Sequence, residues 1–163
     1  MNISHNAFLQ MEEVIKNAGE KALSFFNKPE LQLKFKSRRD LVTEADEKTE
    51  KLLIENLKKI ENIKFLSEEF NPDTLVGNDP LWIIDPIDGT TNFASGIAPF
   101  AVSVAHYNGK NVDAAACYLP VTDEFFFASK GQGAFLNGVN LSVSNESDPM
   151  LCVAVTGFAD ITH

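Results

Sequence analysis

Residues 82–93 read WIIDPIDGTTNF, an apolar run followed by two acidic residues and a turn. The run 82–84 predicts a short buried strand that ends at Asp85. Pro86 supports this end point, because proline fixes its own φ angle and favours an extended conformation in the residue before it. Asp88 follows three residues after Asp85, so two carboxylates leave the end of one strand within a single turn.

The atoms around this turn suit a cation and an anion side by side. The carboxylates of Asp85 and Asp88, with the backbone carbonyl of Ile87 between them, are the oxygen ligands that Mg²⁺ prefers. Gly89 permits a tight turn, and residues 89–92 predict a helix start whose free N–H groups favour phosphate. Asp-Pro-Xaa-Asp-Gly alone is more typical of an ordinary type I turn, so the metal interpretation depends on the rest of the chain.

A second acidic strand end lies upstream. Residues 63–66 predict a short strand, and Glu68 follows it as the first of two adjacent acids. Acids in such positions are more often plain surface residues. If this strand lies beside the central one and parallel to it, however, Glu68 lies next to Asp85 and Asp88. This arrangement would favour a metal site.

Helices precede most of the strands in the sequence. Apolar residues at three- and four-residue steps predict helices over residues 7–27 and 44–61. Thr43 and Asp46 fit a capping box at the start of the second helix. Asp46 therefore either caps this helix or supports a metal site from behind, and its spacing is compatible with both.

The second half of the chain consists of a series of strand-like stretches separated by turns. The strands of this half are predicted at 100–107, 111–119, 124–129, 134–136, 139–144 and 150–156. An earlier alternating segment at 31–36, between the two predicted helices, is also typical of a strand. Asn108-Gly109 and Asn137-Gly138 are strong hairpin signals. Helices followed by an antiparallel meander predict an α+β fold, with the helices packed on a mostly antiparallel sheet in one domain over residues 1–163.

The composition limits the classes of function. The 163 residues are 44% hydrophobic and include 13 Phe, which predicts a globular domain with a real core. The net charge of −9 argues against nucleic acid as a partner, and no apolar run is long enough to span a membrane. The start lacks the features of a signal peptide, and Cys117 and Cys152 are predicted to be free, buried thiols. Cytoplasm is therefore the expected compartment.

Five segments resemble the inositol monophosphatase family of Mg²⁺-dependent, lithium-sensitive sugar phosphatases. They are DLVTEAD at 40–46, SEE at 67–69, DPIDGTTNF at 85–93, PFAVS at 99–103 and GQGAFLNG at 131–138. Their order and separation agree with the family across nearly the whole chain. The resemblance implies the N-terminal half of the layered αβαβα sugar-phosphatase fold.

The resemblance also implies residue roles. The metal ligands would be Glu68, Asp85, Asp88 and the backbone carbonyl of Ile87. The catalytic residues would be Glu68, Thr90 and Asp46, with Thr90 helping to hold the attacking water. The phosphate would contact Asp88 and the backbone N–H groups of Gly89 and Thr90.

The implied activity is Mg²⁺-dependent hydrolysis of a small phosphate monoester, inositol monophosphate or a similar sugar phosphate. Fructose bisphosphate or a nucleotide bisphosphate is the alternative substrate, and a non-catalytic module that binds metal or a partner is the alternative function. Ser67 stands where the family usually has Gly, which is a minor departure. The serious departure is that the family's second half, with its Trp-Asp motif, has no counterpart in these 163 residues. We therefore expect weak activity or none, and either a homodimer or association with a complementary C-terminal part.

Overall fold

The helices and strands are described here for residues 5–26, 33–35 and 41–153, in a computed structural model of the chain. Helix α1 spans His5–Leu23 and helix α2 spans Glu44–Ile60. The helices predicted at 7–27 and 44–61 are thus confirmed, although the first ends at Leu23 and continues as a hydrogen-bonded turn. None of the helices in these ranges combines the length and the apolar character needed to cross a membrane.

The strands form two sheets within the described ranges. The small sheet pairs β1 (Leu33–Phe35) with β2 (Leu41–Thr43) in antiparallel orientation. The strands of the large sheet are β3 (Lys64–Ser67), β4 (Leu81–Asp88), β5 (Ala101–Tyr107), β6 (Val112–Leu119), β7 (Glu124–Ser129), β8 (Gly133–Leu136) and β9 (Val139–Asn140). A short helix, α3 (Thr90–Ala94), lies between β4 and β5.

The large sheet follows the order of the chain from β3 to β9. Strands β3 and β4 are parallel, and every later pair is antiparallel. The expected α+β class, with helices on a mostly antiparallel sheet, is therefore confirmed. Strands β3 and β4 also meet the condition set for a metal site, that the two acidic strands be parallel neighbours.

The main core lies between the two long helices and one face of this sheet. Met11 and Ile15 from α1 and Leu53 from α2 are fully buried against Trp82 of β4. Apolar residues on one stripe of each helix and on alternate positions of the strands produce this layer. The same periodicity was the basis for predicting both helices.

Helix α1 crosses β6 at very short range. A Cβ atom built on Gly19 would lie 2.3 Å from the ring of Tyr118, so the helix depends on glycine at this position. The Tyr118 hydroxyl donates a hydrogen bond of 3.0 Å to Asp123. Burial and this hydrogen bond raise the pKa of Tyr118 to about 12.

The prediction that the central strand ends at Asp85 is wrong. Strand β4 continues to Asp88, because Asp85 pairs with Ser103 and Asp88 pairs with Ala101 on β5. Three steps along β4 thus match two along β5, which is a bulge. Pro86 lies inside it, where its missing N–H costs no ladder hydrogen bond.

The C-terminal strand predictions are also wrong in part. Strand β9 spans Val139–Asn140, not 139–144, and Pro149–Leu151 forms a 3₁₀ turn where a strand was predicted. The side chain of Asp148 accepts a hydrogen bond from the backbone N–H of Met150, which favours this turn over a strand. Residues 154–156 lie outside the described ranges. Cys152 is exposed, contrary to the prediction of a buried thiol.

Candidate active site

The parallel pair of strands brings Glu68 and Asp85 together. Ser67, the last residue of β3, pairs with Ile84 of β4. The next residue on each strand is therefore Glu68 on one side and Asp85 on the other. Paired strands lie about 4.8 Å apart, so Glu68 and Asp85 lie side by side where β3 ends, while β4 continues.

The bulge then leads directly into a left-handed turn. Gly89 has φ 91° and ψ 36°, a conformation that residues with a side chain rarely adopt. Helix α3 begins at the next residue. The hydroxyl of Thr90 donates a hydrogen bond of 2.9 Å to the carbonyl oxygen of Ile87. Asp88 is exposed at the end of the strand, immediately before this turn.

Asp85 lies in an electrostatically unfavourable position. Burial and then the charges of Glu68, Asp88 and Asp46 raise its pKa to about 7, although a hydrogen bond from the backbone of Ile87 acts in the opposite direction. Its Oδ1 atom is buried and has no hydrogen-bond partner among the described residues. Three of the acidic residues predicted as site residues thus act electrostatically on the fourth, Asp85.

Asp46 reaches this group from the first turn of α2. It is 2% exposed, and its charge contributes to the raised pKa of Asp85. The predicted capping box with Thr43 depends on a side chain outside the described set. The position of Asp46 is thus compatible with a supporting role at the site.

The donor set fits a divalent cation in its chemistry. A buried carboxylate oxygen without a partner, surrounded by other acids, is the environment that a cation neutralises, and hard oxygen donors suit Mg²⁺. In the described part of the chain, no three acidic, His or Cys side chains converge closely enough to hold a metal as they stand. Charges act over longer distances than metal–ligand bonds, so the two observations agree. Side-chain rotation would have to complete the coordination.

Sequence reasoning missed Glu50. Its side chain is fully buried on α2, and its two carboxylate oxygens accept hydrogen bonds from the backbone N–H groups of Glu69 and Phe70. These residues come directly after Glu68. The spacing with Leu53 and Leu57 places Glu50 on the buried stripe of the helix, and this periodicity was the available signal.

An aromatic cluster supports the turn from the other side. Phe93 of α3 packs edge-on against Phe100, with ring centroids 4.8 Å apart, and Phe26 contacts both rings. Ile87 is buried in the same cluster. The residues that carry Gly89 and Thr90 are therefore anchored on both flanks.

Cys117 also lies near the acids. It pairs with Ser103 on β5, which in turn pairs with Asp85 on β4, so the three residues form one row across the sheet. Burial and then the charges of Asp88 and Asp85 raise the pKa of the thiol. The thiol is free, as predicted, and half-buried.

Comparison with known proteins identifies the family of this chain. The model of the inositol monophosphatase family matches residues 6–160. An inositol monophosphatase from Dictyostelium discoideum is 43% identical over 148 residues, which cover 88% of this chain and 54% of that relative. A fructose-1,6-bisphosphatase/inositol-1-monophosphatase from Thermotoga maritima is 36% identical over 128 residues, covering 76% of this chain and 48% of that protein.

Solved structures agree with the sequence relatives. The crystal structure of the extragenic suppressor protein suhB from Bartonella henselae superposes with a TM-score of 0.76 at 34% identity, over 85% of this chain and 55% of that one. The chain thus spans about half the length of the relatives that it matches. Because the family model covers nearly all of its residues, the chain belongs to the inositol monophosphatase family.

Proposed function

We propose that this chain provides the metal and phosphate-binding half of an active site that hydrolyses a small phosphate monoester with Mg²⁺. The buried, unpaired carboxylate oxygen of Asp85, next to Glu68 and Asp88, carries this proposal. Membership of the family supports inositol monophosphate as the first substrate to test. The acidic surroundings of Asp85 serve no evident structural purpose, because like charges in a half-buried position destabilise a fold.

In this proposal the acids at the sheet edge hold the metal. Glu68, Asp85 and Asp88 provide carboxylate oxygens, and Ile87 provides its backbone carbonyl. Bound Mg²⁺ would neutralise charge on the phosphoryl oxygens and make a water molecule more nucleophilic. Asp46 supports the group from α2, since its charge already acts on Asp85.

Thr90 orients the attacking water. Its hydroxyl hydrogen is donated to the carbonyl oxygen of Ile87, so the hydroxyl oxygen keeps lone pairs that can accept a hydrogen bond from water. The adjoining backbone N–H groups of Gly89 and Thr90 face the phosphate in this proposal. Fixed donors of this kind stabilise charge that develops in the transition state.

Two alternatives have specific support. Fructose bisphosphate is a candidate substrate because the Thermotoga maritima relative is named for both substrates. A non-catalytic module is the second alternative, since the chain spans about half the length of the relatives that it matches. In that case the acids would bind a cation or a partner without turnover.

A phosphate-release assay separates these possibilities. The chain is incubated with inositol monophosphate or fructose 1,6-bisphosphate, with and without Mg²⁺, beside Asp88→Asn as the inactive variant. Asp79→Asn is the matched control, because Asp79 is an exposed acid that pairs with Lys64 at the other end of β3. Mg²⁺-dependent release that Asp88→Asn abolishes and Asp79→Asn preserves supports the enzyme. Phosphate release at the same rate with and without Mg²⁺ would overturn the proposal of a Mg²⁺-dependent enzyme.

The rate is expected to be low in residues 1–163 alone. The matched relatives are about twice as long, and their remaining half is available to supply further contacts. Loss of one strong electrostatic contact costs on the order of a hundredfold to a thousandfold in rate. Addition of a complementary C-terminal part should then raise the activity sharply.

We also propose that the chain associates with a second polypeptide, either a copy of itself or such a complementary part. The described apolar residues between β8 and residue 153 are largely exposed, among them Val139, Val143, Met150 and Val153. Exposed apolar residues that lie close along the chain favour association. Cytoplasm remains the proposed compartment, and the free thiols of Cys117 and Cys152 are compatible with it.

A further inference from the structure

Glu50 is a buried acid with a specific structural environment. It lies in the middle of α2 and is fully buried, in the same stripe as Leu53 and Leu57. Burial of a carboxylate is costly unless hydrogen bonds compensate it. Both oxygens are in fact engaged: Oε2 accepts from the N–H of Glu69 at 2.7 Å, and Oε1 accepts from the N–H of Phe70 at 2.8 Å.

The two donors belong to the turn that carries Glu68. Ser67 and Asn71 close this turn, through a backbone hydrogen bond of 3.4 Å and a side-chain hydrogen bond of 3.2 Å. The N–H groups of residues 69 and 70 point inward to Glu50, whereas the side chain of Glu68 is exposed. Glu50 therefore holds the inner side of a closed loop whose outer side presents Glu68.

We propose that Glu50 is a positioning residue that holds the backbone of Glu68 at the candidate metal site. This inference rests on the proposed function. Both of its oxygens accept hydrogen bonds from N–H groups of the turn, so Glu50 acts on Glu68 through the backbone. Charge-assisted hydrogen bonds to a carboxylate are stronger than neutral ones, so a buried anion fixes this turn firmly.

The geometry requires glutamate specifically. Two adjacent N–H groups need two acceptor atoms on one side-chain end, and a carboxylate provides both. Gln has nearly the same shape, but one of its terminal atoms is an NH₂ group that would face an N–H donor. Asp keeps the charge and both acceptors, but its oxygens lie one methylene further back.

The test compares Mn²⁺ binding by the unaltered chain and Glu50→Gln, measured by calorimetric titration of the full chain. Loss of residues that orient metal ligands typically weakens metal affinity about 10- to 100-fold. We expect a decrease in this range, together with faster hydrogen exchange at the N–H groups of Glu69 and Phe70. Direct removal of the ligand in Glu68→Gln provides the reference for complete loss.

Two control variants separate positioning from general destabilisation. Leu53→Ala removes a buried side chain from the same stripe without touching the turn, so it should lower the melting temperature and leave Mn²⁺ affinity unchanged. Thr49→Val replaces the adjacent buried residue, whose hydroxyl has no partner among the described residues. It should change neither quantity substantially.

The outcomes distinguish this inference from the proposed function. If the unaltered chain fails to bind Mn²⁺, the proposed function fails and this inference falls with it. If the unaltered chain binds and Glu50→Gln binds equally well, the inference alone is overturned. If Glu50→Gln does not fold, Glu50→Asp is measured in the same way, and unchanged affinity in that variant likewise overturns it.

Discussion

His106 and Asp113 face each other across β5 and β6, with Nδ1 of the imidazole 2.6 Å from Oδ1 of the carboxylate. Both residues are almost completely buried. The second oxygen of Asp113 accepts a hydrogen bond from the Asn108 side chain, and the ring of Trp82 packs edge-on against His106. The other ring nitrogen lies 3.2 Å from a carboxylate oxygen of Glu61 but lacks the alignment of a hydrogen bond.

This pair should contribute to stability and not to the candidate site. Asp113→Ala leaves the imidazole and the Asn108 amide without their acceptor, so we expect a loss of about 1–3 kcal/mol in the free energy of unfolding. Chemical denaturation measures it. Mn²⁺ affinity should stay unchanged, because His106 pairs with Trp82 at the start of β4, whereas Asp85 lies three residues further along. A parallel loss of Mn²⁺ affinity would contradict this separation.

Divalent cations should raise the melting temperature of the chain. A cation that neutralises Glu68, Asp85 and Asp88 binds the folded state and stabilises it by mass action. Thermal melts with and without millimolar Mg²⁺ or Mn²⁺ measure the shift, and Asp88→Asn should abolish it. Asp79→Asn should keep the full shift. Melting curves that ignore every added cation would count heavily against the metal site.

Metal-free stability should depend on pH through Asp85. Its pKa is about 7 in the fold, against an ordinary value of 3.8. The folded state therefore binds this proton more tightly, and the stabilisation by protonation is lost as the pH rises through 7. We expect a higher melting temperature in chelator at about pH 6 than at about pH 8. Asp85→Asn should reduce this difference, and an unaltered pH dependence in that variant would refute the assignment.

Thr90 should affect turnover more than metal binding. Thr90→Ala removes the hydroxyl that contacts the Ile87 carbonyl, and with it the proposed acceptor for water. We expect a large decrease in kcat with Mn²⁺ affinity nearly unchanged, and Thr90→Ser should restore much of the rate. Thr91→Ala is the matched control on the neighbouring residue. Equal losses of turnover and metal affinity in Thr90→Ala would indicate a structural role instead.

Association should be visible in solution. Val143 is 91% exposed and Val153 is 92% exposed, and both are apolar. Sedimentation over a wide concentration range should show self-association, and replacement of both valines by Lys should weaken it. Thr74→Lys alters the surface without removing an apolar side chain and serves as the control. A monomer at every concentration would leave only a different polypeptide as the partner.

The helices could be predicted from the sequence, because the spacing of their apolar residues determines which side is buried. The buried stripe of α2 followed from residue spacing. The spacing left open whether the two acidic strands are parallel neighbours, and only the strand pairing places Glu68 beside Asp85. The bulge at Pro86 did not follow from spacing either, because it depends on how β4 pairs with β5. Glu50 escaped notice because its partners are 19 and 20 residues away along the chain.

In the C-terminal region the sequence predicted a strand that the structure does not contain in the described residues. Met150, Leu151 and Val153 are apolar, and their pattern predicts a strand. A strand also needs a neighbouring strand to receive its hydrogen bonds. In the part of the chain that the structure describes, the sheet ends with β9, and Asp148 favours a turn instead. The apolar pattern of a segment does not show whether a neighbouring strand is present to pair with it.

The order of the strands places the acidic residues far from β9, the strand at which the sheet could be extended. The acids lie at the β3–β4 end of the sheet, and within the described ranges β9 forms the opposite edge, five strands beyond β4. At about 4.8 Å per strand, the two places are roughly 24 Å apart. A strand added at β9 by another polypeptide would therefore leave the geometry of the candidate metal ligands unchanged. The two edges of the sheet are thus structurally independent, and a change at β9 does not displace the acidic residues beside β3.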